Sequence, residues 1–89
     1  MGGETMTIDE FVKNIEQTFN VKVTKGEFFT ESGWNPLEVL LNSQQLQNFI
    51  MKFGKNGEFT GAKYNVKQNG VVTFQATKGQ SIVSILQRI

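Results

Sequence analysis

Eighty-nine residues without cysteine or histidine leave no disulfide framework, no thiolate metal site and no imidazole to act as base or ligand near neutral pH. A net charge of +1 and a hydrophobic fraction of 38% fit one modest core, given bulk by eight Phe, one Trp and one Tyr. Unbroken apolar runs stop at three residues, as in Val39-Leu40-Leu41, so neither a membrane-spanning helix nor a signal-peptide core is expected, and the chain reads as soluble and cytoplasmic.

The charge is unevenly spread. Residues 1–38 carry seven acids against Lys13, Lys22 and Lys25, a net of −4. Residues 39–89 carry Lys52, Lys55, Lys63, Lys67, Lys78 and Arg88 against Glu58, a net of +5. A dipolar surface that keeps a near-neutral protein in solution accounts for this. A basic second half that meets nucleic acid is the alternative.

Residues 1–6 read as a flexible tail, with Gly2-Gly3 ahead of Met6 as a cloning remnant, and residues 7–89 as one domain. Thr7 and Glu10 have capping-box spacing, and Met6 with Phe11 the spacing of a hydrophobic staple. Ile8, Phe11, Val12, Ile15 and Phe19 then form one helical stripe, which Asn20 can close in the left-handed conformation. From Val21 to Glu31 two readings compete. One is a pair of strands turning at Lys25-Gly26 with Val23 opposite Phe28; the other is a single long bent strand. Ser32-Gly33-Trp34-Asn35-Pro36 has the composition of a loop.

Residues 37–53 are ambiguous. Asn35-Pro36-Leu37-Glu38 would start a helix, but Leu41 and Leu46 would then point roughly 90° or more apart. Splitting the segment resolves this. Leu37–Leu41 becomes a strand with Leu37, Val39 and Leu41 inward, followed by a helix from Ser43 to Phe53 capped by Asn42 or Ser43. Gly54-Lys55-Asn56-Gly57 ends that helix.

The strongest local pattern is a hairpin of Phe59–Lys67 and Val71–Thr77 around Gln68-Asn69-Gly70. A two-residue loop would set lysines opposite the apolar face. A three-residue loop with Gly70 left-handed instead pairs Val66 with Val72, Tyr64 with Phe74 and Ala62 with Ala76. The last element, Gln80–Ile89, carries Ile82, Ile85, Leu86 and Ile89 at helical spacing, opened by Gly79 or Ser81. The expected fold is α+β: a two-layer sandwich in the order α-β-β-α-β-β-α, with one antiparallel sheet and about three helices on one face.

No catalytic constellation, metal-ligand spacing or cofactor motif is visible, so a non-catalytic protein without metal or cofactor is expected. Asp9 and Glu10 suit the positive end of a helix dipole better than a carboxylate pair. Lys78-Gly79-Gln80-Ser81 resembles an anion-binding helix entry, but a Gly79 turn with Ser81 as cap explains it more simply. Two candidate binding features remain. One is the polar face of the hairpin, Lys63, Asn65, Lys67, Thr73 and Gln75, with Lys55 and Lys52 nearby. It offers phosphate and base-edge donors but no stacking rings, because Tyr64 and Phe74 point inward. The other is Trp34, an anchor for a protein partner if exposed and a core cap if folded back. The expected function is a small binding module, adaptor or inhibitor, acting by protein–protein contact. A nucleic-acid-binding accessory protein is the alternative.

Overall fold

The computed structural model describes residues 7–30, 35–76 and 78–89, with the backbone alone for 26–30 and 35. Helix α1 (Ile8–Phe19) opens on the expected reciprocal cap: Glu10 N–H donates to Thr7 Oγ1 at 3.2 Å, and Thr7 N–H to Glu10 Oε1 at 3.0 Å. Asn20 ends it at φ 55°. The Glu16 carboxylate then accepts the Val23 N–H at 2.9 Å, which fixes the exit into strand β1 (Lys22–Thr30). Met6, the other half of the expected staple, lies outside the described residues.

Of the two readings of residues 21–31, the single bent strand holds and the pair of strands is overturned. β1 is one strand, antiparallel to β2 (Asn35–Leu40), with Lys25 opposite Leu37 and Thr30 opposite Asn35. Between those pairs β1 advances five residues and β2 two, so a bulge replaces the expected Lys25-Gly26 turn. Asn35 and Pro36 belong to β2 rather than to a loop. Pro36 has no cross-strand partner in either ladder, and its missing N–H therefore leaves no gap.

The split at Asn42 holds. Leu37 and Val39 are fully buried and Leu41 nearly so, whereas Leu40 is 43% exposed. Helix α2 (Ser43–Phe53) opens on a second reciprocal cap between Asn42 and Gln45. Gln45 also donates from Nε2 to the Phe19 carbonyl at 2.8 Å, tying the start of α2 to the end of α1. Strand β3 (Asn56–Phe59) follows, then a tight Thr60-Gly61 turn, β4 (Ala62–Val66), the loop Gln68–Gly70, β5 (Val71–Ala76) and α3 (Gly79–Leu86). The expected succession is present, with one strand more than anticipated: the run Phe59–Lys67 is broken at Thr60-Gly61, where φ reaches 46° and 87°. A β-branched residue rarely adopts such a conformation, which is why the turn is hidden in the sequence. Thr77, the expected end of the last strand, lies outside the described residues.

The five strands form one antiparallel sheet in the order β1-β2-β5-β4-β3. Val66 faces Val72, Tyr64 faces Phe74 and Ala62 faces Ala76, the register of the three-residue loop. Gly70 is left-handed at φ 81°, and so is Asn69 at φ 63°. The same register carries Leu37 and Val39 onto Phe74 and Val72. The inward residues of β1, β2, β4 and β5 join Ile15, Phe49, Ile82, Ile85 and Leu86 of the helices in one core. Phe49 is its centre, edge-on to Tyr64 at 5.2 Å and to Phe74 at 6.2 Å between ring centroids. Each such pair contributes about 0.5–1.5 kcal/mol beyond the area it buries. Gly57 leaves the space that the Tyr64 ring occupies, and the Tyr64 hydroxyl donates to the Phe53 carbonyl.

Candidate functional site on the outer sheet face

Alternation along each strand sends every second side chain away from the core. In register, these outward residues form rows across the sheet. One row runs Thr24, Glu38, Thr73, Asn65, Asn56, and the next holds Gln75, Lys63 and Glu58. A third begins with Lys22, Leu40 and Val71, and Lys67 joins it where its N–H donates to the Val71 carbonyl at 2.7 Å.

Lys63, Asn65, Lys67, Thr73 and Gln75 therefore do come together. With Gly57 and Tyr64 they line a recess of about 330 Å³. Thr73 donates from Oγ1 to the Asn65 carbonyl at 3.2 Å, which holds the hydroxyl against the sheet. A second recess of about 750 Å³ adjoins it, lined by Glu38, Lys55, Val66, Lys67, Gln68, Val71 and Thr73. Lys67 and Thr73 are common to both, and no residue of the three α-helices is among the lining residues described. Lys55 thus belongs to this surface as expected. Lys52 does not, because it sits on α2, whose Phe49 packs on the inner face. Trp34 lies outside the described residues.

The charges on this face are not balanced by contact. Lys22, Lys55, Lys63 and Lys67 have no carboxylate within ion-pair distance among the described residues. Among the described acids, Asp9 is engaged with Lys25 at 3.0 Å, Glu10 in the α1 cap and Glu16 on the Val23 N–H, while Glu38, on this face, accepts from the Thr24 hydroxyl at 3.4 Å. Glu58 stands opposite Lys63 across the β3–β4 ladder. The face is cationic, donor-rich and interrupted by two acids. No aromatic ring lies on it among the described side chains, since Phe59 opposes Ala62 and Tyr64 opposes Phe74 on the inner side.

Leu40, Val71, Glu38, Glu58 and Lys22 were not anticipated as part of the surface. Alternation alone turns Leu40 outward, but only the β2–β5 pairing sets it beside Val71. Elsewhere, a groove of about 440 Å³ runs between α1 and α3, lined in part by Phe11, Ile15, Phe19 and Val83. At Lys78-Gly79-Gln80-Ser81, Lys78 is the N-cap and makes no side-chain capping bond; Ser81 lies inside the helix, so its expected role as cap does not hold. Among the described residues no group of three or more Asp or Glu side chains is placed to hold a metal ion, and no helix is long and apolar enough to cross a membrane. Comparison with protein-family models, with curated proteins and with solved structures gives no significant match, so the candidate site rests on its own geometry.

Proposed function

We propose that the chain is a small, non-catalytic binding module that acts by protein–protein contact, as an adaptor or an inhibitor, through its outer sheet face. The observation that supports this is the open face itself: the outward side chains described on the five strands stay exposed or half-buried, while helix residues share one core with the inward ones. Lys63, Asn65, Lys67, Thr73 and Gln75 present ammonium, amide and hydroxyl groups in one shallow recess. Such a mixed polar surface suits the rim of a protein interface. A cysteine-free composition supports a cytoplasmic setting.

A nucleic-acid-binding role draws support from Lys22, Lys55, Lys63 and Lys67, which have no ion-pair partner among the described residues. It is the weaker reading on two grounds. Glu38 and Glu58 interrupt the basic surface, and among the described side chains the face carries no ring for the stacking on which single-strand binding otherwise relies. The test is affinity capture from host lysate with nuclease present, comparing wild type with Lys63→Glu/Gln75→Glu. Nuclease-resistant capture lost in the double variant supports the module. Capture abolished by nuclease refutes it in favour of nucleic acid.

A further inference from the structure

The third row of the outer face has a different chemistry from the recess beside it. Leu40, 43% exposed, lies against half-buried Val71 across the β2–β5 ladder. Lys22 flanks Leu40 on β1, and Lys67 flanks Val71 on the β4 side, with Lys55 just beyond it in the second recess. Lys22 and Leu40 also line a further hollow of about 450 Å³ at the other end of the row. The result is an apolar pair with cations at both ends. Glu38, two residues from Leu40, is held by the Thr24 hydroxyl and offsets only part of this charge.

Resting on the binding-module reading, we propose that this row is the specificity strip of the module and takes an acidic protein segment whose apolar side chains seat on Leu40 and Val71. Charge complementarity selects the occupant. Lys22, Lys55 and Lys67 attract carboxylates, and an apolar pair discriminates against a uniformly charged chain. A polyphosphate backbone brings charge without an apolar group to seat on Leu40 and Val71. Spacing sets the length. Adjacent strands stand about 4.8 Å apart, so Lys22 and Lys67 are roughly 14 Å apart along the row. An extended segment covers that in about four residues, acidic at each end and apolar between.

The test uses a fluorescein-labelled Glu-Glu-Leu-Gly-Leu-Glu-Glu peptide, whose leucines share one face when extended, its Glu-Glu-Ser-Gly-Ser-Glu-Glu analogue and a short oligothymidylate, followed by anisotropy and by amide shifts in 15N spectra. The expected result is binding of the leucine peptide with shifts at Lys22, Leu40, Val71 and Lys67, and at least about tenfold weaker binding of the serine analogue. Leu40→Ser and, separately, Lys22→Glu/Lys67→Glu should each weaken the leucine peptide about tenfold, with spectra that stay folded, while Met51→Ser on the exposed side of α2 changes nothing. Equal binding of both peptides would overturn the apolar anchor, and tighter binding of oligothymidylate at the same amides would overturn the choice of a protein segment. Shifts there that grow with protein concentration alone would assign the strip to a second copy of the chain. No response to either peptide, alongside nuclease-resistant capture through Lys63 and Gln75, would overturn the strip and leave the binding module standing. The converse, a bound leucine peptide without such capture, would support the strip while removing the recess from the function.

Discussion

Replacing Gly70 by alanine should be far more damaging than the same change at Gly61, although both glycines have left-handed backbone torsions, φ 81° and 87°. An alanine in that region costs about 1 kcal/mol relative to glycine, and this applies at both positions. At Gly61 a new Cβ would meet Ser81 Oγ at 3.5 Å, an ordinary contact, so about 1 kcal/mol is the whole expectation. At Gly70 the Cβ would stand 2.8 Å from the Leu41 carbonyl oxygen, and relief requires movement of backbone. That movement pulls on the bond from Leu41 N–H to the Gly70 carbonyl, 2.9 Å long, which joins the β4–β5 loop to the end of β2. Losing it adds about 1 kcal/mol, and the residual crowding brings the total to about 2–3 kcal/mol. For a domain of this size each kcal/mol lowers Tm by roughly 4–8 °C. Calorimetry should therefore show Gly61→Ala melting about 4–8 °C below wild type and Gly70→Ala roughly 10–20 °C below. Equal losses would refute the close approach to Leu41, and an unchanged Gly70→Ala melt would refute the left-handed loop itself.

Urea melts of Leu41→Lys should show a loss of about 3 kcal/mol or more, because an ammonium would enter the core, whereas Leu40→Lys should stay within about 0.5 kcal/mol; equal damage would contradict the outward turn of Leu40. Tyr64→Phe removes the hydroxyl bond to the Phe53 carbonyl while keeping the ring beside Phe49, and should cost about 1 kcal/mol by the same assay, with a neutral result showing that water replaces the bond. Lys63→Gln/Lys67→Gln should leave the melt within about 0.5 kcal/mol of wild type, since both side chains are exposed. In gel shifts at two salt concentrations neither protein should retard duplex or single strands near physiological salt; tight, salt-sensitive retardation lost in the double variant would establish phosphate contacts instead.

Local chemistry is enough to determine much of this molecule. The α1 cap, the left-handed Asn20, the break at Asn42 and the β4–β5 register each depend on residues a few positions apart, and all are found as the pattern implies. So is the gathering of Lys63, Asn65, Lys67, Thr73 and Gln75, because a hairpin register and a period of two suffice to place them on one face. What stayed hidden depended on partners distant in the chain. Lys25-Gly26 is a competent turn, but β2 pairs along β1 on both sides of it and the extra residues become a bulge. Thr60-Gly61 has a threonine where such a turn usually carries Asn, Asp or Gly, and its strain is tolerated because β3 gains a ladder on β4. The row Lys22, Leu40, Val71, Lys67 draws on β1, β2, β5 and the residue just past β4, so no local pattern contains it. Tertiary pairing alone decided which outward side chains became neighbours, because hydrogen bonds between β2 and β5 join segments some thirty residues apart, and at that separation sequence spacing carries no geometry.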